Sequence, residues 1–448
     1  MPHIGPRMAI ATAALAGGLV AFAMGPPRVS QGRPQVWHVR PGSSGTGSAA
    51  APYGSIRDAL AVAQAGDEVR LASGRYTEPL RTVRGGTAQH PLVVRAADPK
   101  ARPVVEVPGR VATVAHPYVV LDGLVLDGAY GDDDAVRVSS AATGLVLRNL
   151  EIRRSTRDCV DMAAPADVLV EHTRIHHCLN AARGRTDAHG LVAGAVERLT
   201  VRDTEIHTFS GDGVQIDPGR TAPGWTDVRL ERLSIWLAPL PEAVNGFAKG
   251  VVPGENAVDT KTLRDGRRAR LDLRDIDAWG FEGGLITNMA AFNLKERVDA
   301  TIDGVTVHHS DIAFRLRGPG DAGARVTVRN AVVHHVRTAF RYEDDLARLQ
   351  LAHVTFGREV RTPLRAVNAA AGPELRNLLV LAPKAGPEWQ GHATAVDASA
   401  FVNASSDDYR LGTTRTALVG PPQPAVTVDR AGRRRPTTGP HALGAYEP

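Results

Sequence analysis

The 448-residue sequence has few of the side chains that fill a large globular core. Aromatic residues make up 5% of it and cysteines number two, whereas glycine and proline, with 45 and 30 residues, are common. This composition favours many short strands and turns over one large core. A framework of several disulfides is excluded, so we interpret Cys159 and Cys178 as small buried residues and expect packing to stabilise the fold.

Concentrated charge is lacking as well. The net charge is +5, and the basic residues are mostly single arginines scattered along the chain. Nucleic-acid-binding proteins carry clustered basic residues, so we do not expect nucleic acid as a partner. The small positive excess favours acidic polymers instead.

Apolar runs long enough to span a membrane are absent after residue 24. Residues 8–24 form an apolar run that approaches this length and ends near the small residues of Ala21-Phe22-Ala23. We predict a cleaved signal peptide over residues 1–24 and a linker over 25–35, with a signal anchor as the alternative. The mature protein is then secreted, periplasmic or bound to the cell surface.

The sequence does contain a repeat. A small residue, an apolar residue, a variable residue and usually a second apolar residue recur at intervals that suit single coils of a solenoid. One long insertion near residues 216–255 interrupts the intervals. The variable positions, which we call the marker row, are Arg137, Asp161, Val192, Gln215, Asp259, Ile286, Arg315 and Arg341.

A second pattern follows each marker. Apolar residues alternate up to an Asn, Asp or His and then alternate again, which predicts two strands that meet at a polar corner. Each coil therefore supplies three short strands. The period of two excludes a helical repeat, and the intervals are shorter than the blades of a propeller. We predict an all-β parallel β-helix over 36–410, with a C-terminal tail over 411–448 that packs on it.

The N-terminal end of such a stack needs a cover, because its strand edges are unpaired. The segment from Tyr53 to Ala63 predicts a short amphipathic helix whose apolar face covers the first coil. Ser55 is its expected N-cap residue.

Three segments resemble a known group of proteins. Trp37-His38-Val39-Arg40-Pro41-Gly42-Ser43 and Ala65-Gly66-Asp67-Glu68-Val69-Arg70-Leu71 resemble the N-terminal region of the pectate-lyase superfamily, and His441-Ala442-Leu443-Gly444-Ala445-Tyr446-Glu447 is similar to the ending of many exported bacterial β-helix proteins. The resemblance implies a right-handed parallel β-helix in an exported bacterial protein. It implies no single activity, because the superfamily includes lyases, hydrolases, epimerases and non-enzymatic proteins.

Stacked markers would form a row of solvent-facing side chains about 5 Å apart. A parallel row lies two residues further on, and polar turn residues precede the markers. Acids, amides, a histidine and cations thus converge over four or five coils. We predict the functional site there, with these substrate-binding residues: Asp161, Asp212, Gln215, Asn288 and Arg341.

Lyase chemistry explains the remaining residue types of this face. Cleavage of a uronic-acid polymer removes a proton beside a carboxylate, which requires a base and a cation that neutralises the carboxylate. We predict Lys261 as the base and Arg315 and Arg317 as carboxylate clamps. Calcium can also polarise the carboxylate. The candidate calcium ligands are Asp217, Glu255 and Asp259.

The segment from Gly254 to Thr262 also resembles the acid-then-lysine turn of alginate and dermatan-type lyases. The resemblance implies an acid that binds calcium and a lysine that is the base. The catalytic arginine of that family would fall at Ile286 or Asn288, where this sequence has no arginine.

Histidines recur at the end of the third strand of several coils. We interpret them as a polar feature of the repeat rather than a metal site. They are His176, His177, His207, His308, His309, His334 and His335. His189 lies apart from them, at the mouth of the marker row, and is a candidate general acid or base.

Three functions therefore stay open. A polysaccharide lyase comes first. A glycoside hydrolase would use Asp161 with Asp212 or Asp217 as its carboxylate pair, helped by His189. A non-catalytic surface protein would bind polysaccharide along the same row, although scarce aromatics argue against tight sugar stacking. We expect an acidic polysaccharide as partner and a monomeric protein.

Overall fold

The computed structural model describes residues 33–181, 187–219, 221–263, 266–318, 323–343, 346–369, 372–384, 386–389, 391–412 and 418–448. The predicted signal peptide lies outside these residues, as does the predicted linker except for its last three positions. No helix in these ranges is long and apolar enough to cross a membrane.

Short strands stack in parallel into three faces over about 11 turns. The first face consists of Leu80–Arg81, Ala112–Val114, Val136–Val138, Val160–Met162, Leu191–Ala193, Val214–Ile216, Val258–Thr260, Ala290–Lys295, 312–317, 338–343 and Val360–Val367. The all-β fold and the three strands per coil are confirmed.

The second face precedes the polar corner of each coil. It consists of Val36–Val39, Glu68–Leu71, Leu92–Ala96, Val119–Asp122, Val146–Arg148, Ala166–Glu171, 197–202, 226–231, Ala269–Arg274, Val298–Asp303, Arg325–Arg329, Arg348–Ala352 and Glu374–Arg376.

The third face follows the corner. It consists of Arg75–Tyr76, Val104–Glu106, Val125–Asp127, Glu151–Ser155, Arg174–Cys178, 204–209, 233–236, Asp277–Phe281, 306–310, 332–336, Thr355–Phe356, Leu378–Leu381 and Ala393–Val396. Some strands continue from one face to the next: Glu197–Phe209, Thr226–Trp236, Thr306–Arg317 and Val332–Glu343.

The corner between the second and third faces is turned by one residue in the left-handed conformation. Asn149, Asp203 and Asn330 have φ values of 55°, 50° and 51°. Asn and Asp tolerate this conformation better than most residues because their short polar side chains bond locally. The polar corner that the sequence predicts is thereby confirmed.

Apolar residues of each strand point inward and stack from coil to coil. On the first face, Phe292, Phe314 and Phe340 form one such stack, with ring centroids 5.2 and 4.6 Å apart. The outward positions between them stay available for polar side chains, and these positions carry the marker row.

The two cysteines differ from their prediction in one respect. Both are completely buried, as expected, but they form a disulfide with each other, with Cα atoms 5.6 Å apart. Cys178 ends a strand of the third face and Cys159 directly precedes a strand of the first face, so both side chains meet inside the stack. Sequence spacing alone does not reveal this proximity.

The extra residues between Gln215 and Asp259 do not form a single loop. Strand Thr226–Trp236 lies within them, so the additions fall before it, over 217–225, and after it, over 237–257. The second addition packs Leu240 and Phe247 against Leu179, just beyond the third face.

The helix predicted near the N-terminus spans Ile56–Val62. The Ser55 side chain accepts a hydrogen bond from the Asp58 amide, which confirms Ser55 as the N-cap residue. Ile56 and Leu60 are buried, and the helix packs against strands Val36–Val39, Glu68–Leu71 and Leu80–Arg81. Its role as a cover of the first coil stays a prediction.

The C-terminal part contains three 3-10 helices, Pro387–Trp389, Ala398–Ala400 and Ala404–Ser406. It also contains two antiparallel strand pairs. Phe401–Asn403 pairs with Asp408–Leu411, and Val419–Gly420 pairs with His441–Ala442. The last residues run back along the solenoid. The buried Arg435 side chain donates to Asn330 Oδ1 at 2.7 Å and forms an ion pair with Glu447.

Candidate functional site

Backbone pairing aligns the predicted markers on the first face as far as Asp259. In order, the paired residues are Arg137, Asp161, Val192, Gln215 and Asp259. In this part of the chain the marker row is confirmed.

The next coil is out of register with the prediction. Asp259 pairs with Asn293, and Asn293 pairs with Arg315, so Ile286 does not belong to the row. Ile286 lies in an exposed loop over 282–288. Asn288 belongs to this loop too, with a φ of 61°, and its Oδ1 accepts a bond from Arg337 at 3.3 Å. The structure therefore separates Asn288 from the row to which the sequence assigned it.

The correct register reveals a residue that the sequence interpretation missed, Lys295. It pairs with Arg317 and follows Lys261 in the parallel row, two residues beyond the markers. The signal was present in the sequence, because Ala291-Phe292-Asn293-Leu294 fits the repeat frame as closely as Ala313-Phe314-Arg315-Leu316 in the next coil.

Both lysines form ion pairs with acids of neighbouring coils. Lys261 Nζ lies 2.9 Å from Asp217 Oδ2, and Lys295 Nζ lies 2.7 and 2.9 Å from the two oxygens of Asp259. Their exposure differs, since 42% of the Lys261 side chain is accessible but only 15% of the Lys295 side chain. Burial opposes the charged form of Lys261, but the hydrogen bond to Asp217 raises its pKa.

Acids beside the lysines share a buried environment. Burial and the nearby Asp212 raise the pKa of Glu255 to about 7, and the same two causes raise the pKa of Asp259. Asp217 behaves oppositely: burial would raise its pKa, but the hydrogen bond from Lys261 lowers it. The site thus contains acids that titrate in different pH ranges.

His189 lies within a hydrogen-bonded network rather than at an open mouth. Its Nδ1 lies 2.8 Å from Asp158 Oδ1, and its Nε2 lies 3.0 Å from the Gln215 amide nitrogen. That amide also donates to Asp212 Oδ2, and Asn256 donates to Asp212 Oδ1. The network assigns the proton to Nδ1, so Nε2 accepts from Gln215. Although burial opposes it, the Asp158 hydrogen bond raises the pKa of His189. With both ring nitrogens engaged, His189 orients Gln215.

The predicted arginines divide into bound and free side chains. Arg315 and Arg341 both bind Glu343, at 2.7 and 2.9 Å. Burial would raise the pKa of Glu343, but the hydrogen bond from Arg315 lowers it. Among the described residues, no acid forms an ion pair with the Arg317 side chain. Of the three predicted arginines, Arg317 is therefore the most available to a ligand.

The predicted calcium ligands are not gathered into one cage. Asp217 and Asp259 are bound by different lysines, and within the described ranges neither cluster of three ligand atoms within 4.8 Å contains them or Glu255. One of those clusters is Asp134, Asp158 and Asp161. It carries its own counter-charges, because Arg137 pairs with Asp161 and Arg157 lies 3.4 Å from Asp134.

No family model matches the chain, and no curated protein matches it. Among solved structures, pectate lyase Pel9A is 15% identical, with a TM-score of 0.53 over 92% of this chain and 96% of that one. The fold is a right-handed parallel β-helix of the pectate-lyase type. A GH136 lacto-N-biosidase from Eubacterium ramulus is 11% identical, with a TM-score of 0.56 over 81% of this chain and 68% of that one. At such identities the likeness concerns the fold.

On this β-helix, one face presents cations on successive coils beside acids of unlike pKa. Lys295 pairs with Arg317 at the spacing of neighbouring strands, about 4.8 Å, and Lys261 lies two residues beyond Asp259, the partner of Asn293. Two of these cations are held by acids, Lys261 by Asp217 and Lys295 by Asp259. The face therefore presents one cation without an acidic partner among the described residues, Arg317, together with a carboxyl group, Glu255, whose pKa is about 7.

Proposed function

We propose that the protein is an exported, carbohydrate-active β-helix protein that cleaves a uronic-acid polymer as a polysaccharide lyase. The observation that carries the proposal is the run of Lys261, Lys295 and Arg317 on consecutive coils of one face. Export is supported by the Cys159–Cys178 disulfide, since disulfides persist in oxidising compartments.

Lys261 is the proposed base, because its ammonium is the more exposed of the two lysines. In its neutral form it takes the proton beside the substrate carboxylate. The electron pair of that C–H bond forms a carbon–carbon double bond, the bond to the leaving oxygen breaks, and a solvent proton ends on that oxygen. Arg317, which forms no ion pair with a described acid, neutralises a carboxylate of the bound polymer, whereas Lys295 stays in its ion pair with Asp259. Two of the three predicted calcium ligands, Asp217 and Asp259, are engaged by lysines, so the step is written with the cations of this chain alone.

The pH dependence follows from the contact with Asp217. This contact raises the pKa of Lys261, so the neutral base is scarce at neutral pH. The neutral base becomes more abundant as the pH rises into the alkaline range. Lyase activity should therefore increase with pH above neutrality.

Alginate, pectate and glycosaminoglycans are suitable test polymers, with ultraviolet absorbance of the unsaturated product as readout. Lys261→Ala should lose activity by at least about 100-fold, the range for a general base, while the fold stays intact. Lys100→Ala is the matched control, because Lys100 is an exposed turn residue far from the marker row in the chain. Loss in Lys295→Ala with an unchanged circular dichroism spectrum, together with full activity in Lys261→Ala, would move the base to Lys295. Binding without turnover, unchanged in Lys261→Ala, would indicate a binding protein.

A glycoside hydrolase is the second candidate, favoured by the pKa of Glu255, about 7. A carboxyl group that stays protonated near neutrality can donate a proton to a leaving oxygen. Hydrolysis would release reducing ends without the ultraviolet band. The rate of hydrolysis would fall above about pH 7, whereas lyase activity should rise with pH. Hydrolysis would also drop in Glu255→Gln.

A further inference from the structure

A second cluster of ligating side chains lies on the third face, away from the proposed site. His334 and His335 belong to strand Val332–Glu343, and Asp407 follows the 3-10 helix Ala404–Ser406. The three ligand atoms lie within 4.8 Å of one another. We propose that His334, His335 and Asp407 bind one divalent transition-metal ion, for which zinc is the reference, and that this ion fastens the C-terminal segment to the solenoid.

The geometry of the three atoms carries the proposal. The two Nδ1 atoms are 2.7 Å apart, and Asp407 Oδ1 lies 3.5 Å from His334 Nδ1 and 3.8 Å from His335 Nδ1. In a triangle with these sides, one point lies about 2.0 Å from every corner, which is the length of zinc bonds to histidine nitrogen and carboxylate oxygen. The contact between the two Nδ1 atoms is a hydrogen bond, so an ion at that point replaces the proton that the two rings share.

Local structure explains why these atoms converge. His334 is an outward residue stacked on His308, with ring centroids 5.0 Å apart. His335 is the next residue and has a φ of 49°, so the chain turns there and brings its ring back beside His334. Asp407 also has a positive φ, 58°.

Asp407 is held in place by its own hydrogen bonds. The Tyr409 hydroxyl donates to Asp407 Oδ1 at 2.9 Å, and Arg358 donates to the same oxygen at 3.1 and 3.3 Å. Metal-binding carboxylates are usually oriented by such outer contacts. The carboxylate remains about one-third exposed, which leaves a path for the ion and for water as a further ligand.

Two similar histidine pairs provide an internal comparison. The Nδ1 atoms of His176 and His177 are 2.6 Å apart, and those of His308 and His309 are 2.7 Å apart. Within the ranges that the structure describes, neither pair has a carboxylate that completes a cluster of three. The carboxylate of the C-terminal segment therefore distinguishes the proposed site.

The test uses the mature full-length protein without a histidine tag, stripped with EDTA and titrated with Zn²⁺ by calorimetry. We expect one equivalent of Zn²⁺ and a higher Tm in its presence. His335→Asn should weaken binding at least about 10-fold, because losing a ligand should cost no less than losing an outer-shell partner of a metal site. Asparagine tolerates the positive φ at this position, so the fold should be kept.

His177→Asn is the matched control, since His177 has a φ of 58° and the same kind of Nδ1 contact. It should retain full Zn²⁺ binding. Co²⁺ should give visible absorption bands in the wild type and in His177→Asn, but not in His335→Asn. Absence of stoichiometric binding by the wild type would overturn the proposal, as would equal binding by the two variants.

Discussion

Replacing Lys295 by methionine should destabilise the protein in a pH-dependent way. Lys295 contacts both oxygens of Asp259, and the Asp259 side chain is almost completely buried. Removing one member of a buried ion pair costs about 3–5 kcal/mol, because the other charge stays buried without a partner. Asp259 avoids that cost when it binds a proton, and burial together with Asp212 already raises its pKa.

The raised pKa determines the direction of the pH effect. Unfolded Asp259 ionises near its ordinary pKa of about 3.9. Between that pKa and the higher pKa of the folded state, the folded protein binds more protons than the unfolded chain, so the free energy of unfolding falls as the pH rises. Without Lys295 the folded pKa rises further, and the loss of stability extends to higher pH. We expect Lys295→Met to be nearly as stable as the wild type at about pH 5 and less stable by about 3 kcal/mol at about pH 8.

Thermal and urea unfolding at the two pH values measure this difference. Lys261→Met is the matched control, because the Lys261–Asp217 pair is partly exposed and such pairs contribute about 0–1 kcal/mol. The double variant Lys295→Met/Asp259→Asn should regain most of the loss, since it removes both charges. Equal losses in Lys261→Met and Lys295→Met, or a loss independent of pH, would refute the assignment of a buried carboxylate.

Two further predictions concern the solenoid itself. Replacing Cys159 and Cys178 by alanine should lower stability by about 3 kcal/mol through the lost cross-link, and unfolding in the presence and absence of reductant measures it; an unchanged Tm would contradict a stabilising disulfide. Val258→Asp should unfold the surrounding coils because it buries an unpaired carboxylate. Arg365→Asp, at an exposed position of the same face, should keep the wild-type circular dichroism spectrum. Similar spectra for both variants would mean that the inward and outward positions are reversed.

The fold could be predicted because a coil is a local pattern. Two signals define a coil: apolar residues that alternate with period two, and a polar residue such as Asn149 at the corner. Both signals lie within a few positions of one another in the sequence. The marker row was also predictable wherever one coil clearly matched the next. It was wrong at Ile286 because the frame was fitted to a loop, although Asn293 stood in an equally good match.

Side-chain partners were much harder to predict, since they come from different coils. Lys295 meets Asp259 across 36 residues, and His335 meets Asp407 only because the chain returns along the solenoid. The Cys159–Cys178 bond likewise depends on two strands that face each other across the interior. Such contacts follow from coil register, which composition and spacing do not specify to the residue.

The returning C-terminal tail has a consequence for how the molecule unfolds. In solenoids each coil contacts only its neighbours, so the ends can fray one coil at a time. Here Arg430 donates to Asp277 and Thr306, Arg435 binds Asn330, and the Ala445 amide donates to Thr355, so one segment contacts successive coils. Opening any of these coils requires release of the segment that braces the others. The C-terminal third should therefore exchange its amide hydrogens as one cooperative unit, while coils nearer the N-terminus open independently of it.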